Sequence, residues 1–150
     1  MKLWALFVAG AAVSWGLYVP VLHEGQKQLG SSLRAFLCVG IAYFLLAVLV
    51  PAGVMARRSE TGSFTMSGSL LATAAGVAGA VGALCVIFAL RFGGIPIYVA
   101  PLVFAGAPVV NALVSIAWHP PKTQPHALFY AGMLLAAIGA GLVLMYKPTS

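Results

Sequence analysis

Few side chains of this sequence have the chemistry that catalysis or metal binding requires. Glu24 and Glu60 are the only carboxylate side chains among 150 residues, and the three histidines and two cysteines do not show metal-ligand spacing. General acid–base and nucleophilic mechanisms depend on such groups lying together. The sequence therefore predicts no enzyme, and it indicates neither a cofactor nor a metal site.

Glu24 is a weak candidate for ion coupling. It stands beside His23 and shortly after Pro20, at the predicted exit of the first apolar segment. A carboxylate that loses part of its hydration at such a place can carry a coupling proton. The alternative is an interfacial residue that pairs with Lys27 or Arg34.

Prolines and polar residues share one face of the fourth apolar segment. Pro101, Phe104, Pro108, Asn111 and Ser115 recur at alternating spacings of three and four, which place them on one side of a helix. Each mid-helix proline frees the carbonyl four residues earlier, a defect that survives where it faces protein or water rather than lipid. Asn111 is the only asparagine of the chain, and its amide needs a polar partner. The face lines a solute path, or Asn111 binds a neighbouring helix.

Aromatic residues on the first two apolar segments extend this prediction. Trp15 and Tyr18 share a face near mid-membrane, and Tyr43 lies mid-way along the second segment. Aromatic rings at that depth either pack or line a site where flat or cationic solutes stack. The candidate substrate path consists of Trp15, Tyr18, Tyr43, Pro108, Asn111 and Ser115.

Composition requires that membrane helices position these residues. Hydrophobic residues make up 62% of the chain and charged residues 7%, with a mean hydropathy of +1.04, whereas a soluble domain has about 25% charged residues. Five apolar segments are long enough to cross a hydrocarbon core of ~30 Å: residues 3–22, 33–55, 66–90, 95–118 and 126–146. We expect a single-domain, all-α integral membrane protein with five transmembrane helices, multi-pass in the lipid bilayer of the cell membrane. Its scattered basic residues suit lipid headgroups, so no nucleic-acid partner is indicated.

Basic residues are balanced between the two sides that five spans define. One side carries Lys2, Arg57, Arg58 and Lys122, and the other carries Lys27, Arg34, Arg91 and Lys147. The positive-inside rule orients a protein by an excess of Lys and Arg in cytoplasmic loops, and this chain has no excess. Either Lys2 holds the amino terminus inside, or copies insert both ways and pair as an antiparallel dimer. Such a dimer has the inverted-repeat architecture of many transporters.

Small residues at four-residue spacing mark the third and fifth segments as sites of close helix packing. Ala75, Gly79 and Ala83 repeat in the third segment, as do Ala136 and Ala140 in the fifth. In lipid, such faces let two backbones approach closely. They serve contacts within the chain or contacts with a partner subunit.

Four short motifs resemble the EamA-type families of the drug/metabolite transporter superfamily, and together they extend over nearly the whole chain. They are Ser14-Trp15-Gly16 with Pro20, Leu33-Arg34-Ala35-Phe36, Ala89-Leu90-Arg91-Phe92 through Ala100-Pro101-Leu102 to Pro108-Val109, and Tyr130-Ala131-Gly132 with Gly139-Ala140-Gly141. The chain departs from the family before the last helix, where Trp118-His119-Pro120-Pro121 replaces a frequent glutamate.

The resemblance implies a five-helix unit that full-length members carry twice, in opposite orientations, around a central substrate path. This chain would be one half of that ten-helix inverted-repeat architecture. It would pair with a second copy of itself, or with another half-size unit as a heterodimer.

The expected function is a half-size secondary transporter that moves a small metabolite or drug-like solute by alternating access, as a dimer. The alternative is a non-transporting membrane protein that assembles with or stabilises a larger membrane complex. The small-residue faces and the scarcity of carboxylates motivate that alternative.

Overall fold

A computed structural model of the chain describes residues 3–58 and 62–148. Lys2 and Glu60 lie outside these residues. The described part of the chain is helical and contains no strand. Five of its helices have the length and apolar composition needed to cross a membrane: Leu3–Leu29, Ser32–Arg58, Met66–Arg91, Pro96–Trp118 and Ala127–Met145. The number of helices with this length and composition matches the predicted five, as expected for a multi-pass membrane protein.

The first helix, α1 (Leu3–Leu29), extends beyond the apolar segment that predicted it. The polar residues after Leu22 include Glu24, Gln26 and Lys27, which are good helix formers, so the helix continues through them. It stops at Gly30, whose φ of 60° favours glycine and whose N–H donates to the Lys27 carbonyl at 3.1 Å.

The second span changes its helical geometry in the middle. It consists of α2 (Ser32–Phe44), a π-helical turn (Leu45–Leu49) and α3 (Val50–Arg58). The Val50 N–H donates to the Leu45 carbonyl, five residues back. The next residue is Pro51, which lacks an N–H and whose ring would crowd the carbonyl of Ala47. The wider π-helical turn before Pro51 relieves this crowding.

The remaining helices begin and end at ordinary signals. Thr65 accepts from the Gly68 N–H at 3.3 Å at the start of α4 (Met66–Arg91), and Gly93, with a φ of 96°, follows its end. The next helix, α5 (Pro96–Trp118), starts with a proline at its first position and continues through Pro101 and Pro108. The last, α6 (Ala127–Met145), follows His126.

The chain divides into two compact units. The first unit comprises Met1–Pro20 and Gly94–Ser150, and the second comprises Val21–Gly93, so the division falls within α1 directly after Pro20. In the first unit, α5 packs against α6. In the second unit, α2 packs against α4, around a small apolar core of Leu22, Ala35, Ala83, Val86, Ile87 and Leu90.

Most large apolar side chains on these helices are exposed. On α6, for example, not one side chain is fully buried, and Leu134, Leu135 and Ile138 are all exposed. A surface of this kind is stable only against lipid tails or a partner, because in water it would promote association. The exposed apolar surface agrees with a membrane setting.

Candidate functional site

Three aromatic side chains of the first unit form a cluster, which we call the aromatic cluster: Trp15, Tyr18 and Phe104. The rings of Trp15 and Tyr18 lie 5.4 Å apart, edge to face at 65°. The rings of Trp15 and Phe104 lie 6.1 Å apart at 72°, which joins α1 to α5. These distances and angles are those of favourable aromatic pairs. The structure thus brings one predicted path residue, Trp15, into contact with another, Tyr18, and with Phe104 of the fourth span.

The aromatic cluster is accessible. Trp15 is 41% exposed and Phe104 37% exposed, whereas Tyr18 is half-buried. Part of the Trp15 side chain and part of the Phe104 side chain are therefore free to contact another molecule. The cluster can receive a flat apolar or cationic group, because ring faces attract both.

Phe104 is not among the predicted path residues, although it belongs to the face on which that prediction rests. Its spacing from Pro101 and Pro108 was the signal that could have identified it. Its contact with Trp15 could not be predicted, since the pairing of the first and fourth spans is a tertiary feature.

The predicted polar face of α5 lies beside the packing face of that helix. Half-buried residues follow one stripe of α5: Leu102, Ala105, Val109, Ala112 and Ile116. The predicted face is displaced from this stripe by one residue at each position, and Pro108, Asn111 and Ser115 on it are exposed. The stripe is half-buried within the first unit, whereas these three residues of the predicted face are exposed.

Asn111 has no side-chain hydrogen-bond partner among the described residues. An amide in a membrane span must be satisfied, since an unpaired polar group in hydrocarbon costs several kcal/mol, about 2–7. Its partner therefore comes from a solute, from water in a cavity, or from another polypeptide. Pro108 stands one turn before it on the same face and frees the carbonyl of Phe104.

Tyr43 belongs to α2, in the second unit, and is 48% exposed. The aromatic cluster belongs to the first unit. Its assignment to the path stays a prediction.

Glu24 lies on an exposed face of the last turns of α1. Its carboxylate accepts from the Gln28 amide at 3.0 Å, one turn away on the same helix. Arg34, one of its two predicted ionic partners, instead donates to the Leu29 carbonyl at 3.4 Å. The group is solvated and hydrogen-bonded locally, and its coupling role stays a prediction.

Gln26 is a polar residue of α1 that the sequence analysis did not single out. Its amide nitrogen donates to the Ser32 hydroxyl at 2.7 Å and to the Ile87 carbonyl at 3.1 Å, so one side chain joins α1, α2 and α4. Ser32 is 6% exposed, which makes it the one buried polar residue among those described. The only signal in the sequence is a glutamine near the end of an apolar segment, which does not reveal its partners.

The described residues contain no group of three or more His, Cys, Asp and Glu side chains that could hold a metal ion. Comparison of the chain with known protein families, with curated proteins and with solved structures gives no match.

Proposed function

We propose that this protein is a half-size secondary transporter of the cell membrane, which moves a small solute by alternating access as a dimer. The observation that carries the proposal is the open face of α5. Pro108, Asn111 and Ser115 are exposed on it, and Phe104 of the same face belongs to the aromatic cluster. Polar and proline-broken surfaces of this kind are tolerated in a membrane where they line a cavity.

The chemistry of this face suits a flat or cationic organic solute. Trp15 and Phe104 offer exposed ring surface, and Asn111 offers an amide that both donates and accepts hydrogen bonds. The carbonyl freed by Pro108 adds a further acceptor. No carboxylate belongs to this set of residues, so recognition by stacking and by amide hydrogen bonds takes the place of ion pairing.

A second copy of the chain completes the path in this proposal. One exposed face is a wall rather than an enclosure, and an alternating-access path needs walls on opposite sides. The balanced Lys and Arg counts permit two copies in opposite orientations. The resemblance of the motifs to EamA-type transporters supports the same arrangement, in which two five-helix units surround one path.

Transport of ethidium, a flat aromatic cation, tests the proposal. Purified protein is reconstituted into liposomes that contain trapped DNA, and the rise in ethidium fluorescence measures entry. We expect protein-dependent entry that Asn111→Leu reduces about 5- to 150-fold, because loss of a hydrogen bond to a polar group costs about 1–3 kcal/mol. The matched control Val110→Leu changes an exposed neighbour outside the polar face and should transport at the wild-type rate.

Two results would count against the proposal. Entry no faster than into protein-free liposomes would contradict transport of flat cations. Equal transport by wild type and Asn111→Leu would remove Asn111 from the path. Size-exclusion chromatography of each variant verifies that the folded assembly is retained.

A second function is favoured by the exposed glycines of α4, which are Gly76, Gly79 and Gly82. Within the described residues, no atom lies close enough to touch an added Cβ at Gly76, Gly79 or Gly82. Such a face accepts a helix from another protein, which would make this chain an assembly subunit. Purification from its native membrane separates the two functions: a stable complex with a larger partner favours assembly, and a self-sufficient dimer favours transport.

A further inference from the structure

A pocket of about 470 Å³ lies in the second unit, where α1 ends, α2 begins and α4 ends. Its basic lining residues are His23, Lys27 and Arg91, and its hydroxyl-bearing ones are Ser31 and Ser32. No lining residue is acidic. The aromatic cluster, in contrast, belongs to the first unit.

The charges around this pocket favour an anion. Lys27 lies in the last turn of α1 and Arg91 in the last turn of α4, so they contribute two positive charges. The carboxyl ends of those two helices contribute about −0.5 each, and the amino end of α2 contributes about +0.5. The sum is about +1.5 without counting His23. The two cations thus outweigh the helix ends that would otherwise repel an anion.

The pocket also holds hydrogen-bond donors in fixed positions. Ser31 caps α2 by accepting from the Arg34 N–H. The first N–H groups of an α-helix have no partner within the helix, and Ser32 and Leu33 at this end of α2 line the pocket. Ser32 is 6% exposed, and its oxygen accepts from Gln26, so its hydroxyl hydrogen is available to donate. Burial and the hydrogen bond from Gln26 restrict rotation of the Ser32 side chain.

Leu33 and Leu90 complete the lining with apolar surface. The pocket therefore combines cationic and donor groups with apolar surface, and it lies at the ends of helices long enough to span a membrane, where lipid headgroups are expected. Phosphate has several oxygens that accept from ammonium, guanidinium, hydroxyl and backbone N–H groups together.

We propose that this pocket binds a phosphate group, either that of an anionic lipid headgroup or that of a soluble phosphate ester. Lys27 and Arg91 supply the charge, and Ser32 with the amino end of α2 supplies directed hydrogen bonds. Gln26 is a positioning residue, because it holds Ser32 in place and bridges to Ile87.

Titration of the detergent-solubilised full-length protein with short-chain lipids tests the proposal. The probes are dihexanoyl phosphatidylglycerol, dihexanoyl phosphatidylcholine, inorganic phosphate and glycerol 3-phosphate, with binding followed by microscale thermophoresis. We expect phosphatidylglycerol to bind more tightly than the zwitterionic lipid. Lys27→Gln and Arg91→Gln should each weaken its binding about tenfold, the loss expected for one charge-assisted hydrogen bond.

Two further variants make the test specific. Arg57→Gln removes a cation from the last turn of α3, which does not line the pocket, and should bind phosphatidylglycerol within about twofold of wild type. Arg91→Lys keeps the charge and should retain most of the binding, which separates lost charge from lost folding.

Competition distinguishes the two sources of the phosphate group. Displacement of phosphatidylglycerol by inorganic phosphate or glycerol 3-phosphate assigns the pocket to a soluble ester, and resistance to both assigns it to a lipid headgroup. The proposal is overturned if phosphatidylglycerol and phosphatidylcholine bind equally, or if the two glutamine variants bind phosphatidylglycerol as tightly as Arg57→Gln does.

Discussion

At the scale of single residues, one polar and one aromatic side chain of α1 each join that helix to others. Gln26 joins three helices through two hydrogen bonds, and Trp15 joins two helices through its contact with Phe104. Trp15 could be predicted as a candidate because aromatic residues near mid-membrane either pack or bind. Gln26 could not, because its function depends on Ile87, which is remote in sequence.

The first prediction concerns Gln26. Gln26→Ala removes the hydrogen bonds to Ser32 and Ile87 and leaves a buried hydroxyl less well satisfied. We expect the free energy of unfolding to fall by about 1–3 kcal/mol. Unfolding in mixed micelles with increasing SDS, followed by tryptophan fluorescence, measures the change.

Gln28→Ala is the matched control for that variant. It removes the exposed hydrogen bond from Gln28 to Glu24 on the same helix, which we expect to be worth less than about 0.5 kcal/mol. A loss at Gln28 as large as that at Gln26 would show that the bridge between helices contributes nothing particular.

Asn111 shows where prediction from sequence stops at this scale. The amide and its face could be identified from spacing alone, and α5 confirms a continuous helix through both prolines. Whether the face is covered within the chain depends on which stripe of α5 packs against α6. That choice depends on how well each stripe of α5 fits the surface of α6. Most stripes of α5 are similarly apolar, so composition does not identify the one that packs.

At the scale of elements, hydropathy predicts the spans better than it predicts the helices. The fourth predicted segment, 95–118, differs from α5 (Pro96–Trp118) by one residue, because Pro96 and His119-Pro120 mark both ends. The first segment, 3–22, ends well before α1 does, at Leu29. Hydropathy detects the part of a helix that suits lipid, whereas Glu, Gln and Lys extend the helix into the interface.

The π-helical turn is the element-scale feature that hydropathy does not reveal. Residues 45–49 are as apolar as their neighbours, and the change in geometry arises from Pro51, which follows them. A proline inside an apolar segment is a visible signal, but the sequence does not say whether the helix kinks, breaks or widens.

A prediction follows for Pro51. Pro51→Ala restores an N–H that can donate within the helix, and it removes the ring that crowds the preceding turn. We expect Leu45–Leu49 to become α-helical, and the free energy of unfolding to rise by about 1–2 kcal/mol, part of the ~3 kcal/mol that a mid-helix proline costs. SDS unfolding measures the stability, and amide hydrogen exchange measures protection of the new N–H.

Pro96→Ala serves as the control, since Pro96 occupies the first position of α5, where its missing N–H costs nothing. Its stability should stay within about 0.5 kcal/mol of wild type. A Pro51→Ala variant that is less stable than wild type would contradict the explanation given for the π-helical turn.

At the scale of the whole molecule, the distribution of charge and the exposed surface both bear on whether a second copy of the chain is needed. Lys and Arg are shared equally between the two predicted sides, and Pro108, Asn111 and Ser115 on α5 are exposed. Both observations are met by two copies in opposite orientations.

Cysteine labelling tests the orientation. Gly62 lies in the exposed link between the second and third spans, so Gly62→Cys introduces a thiol that only one side of the membrane should reach in a uniformly inserted protein. Cys38 and Cys85 are exposed and are replaced by alanine first. We expect a membrane-impermeant maleimide to label Cys-substituted position 62 in intact cells and to label a further fraction after the cytoplasmic side is opened. Labelling from one side alone would exclude the antiparallel homodimer.

The number of chains in the functional particle is the most direct test of a dimeric transporter. Native mass spectrometry of the wild-type protein, purified alone and reconstituted into lipid nanodiscs, counts the chains in each disc when chains are far fewer than discs. Because one open face cannot enclose a solute path, we expect two chains in a disc. A single chain per disc, with ethidium transport retained after reconstitution at the same dilution, would contradict it.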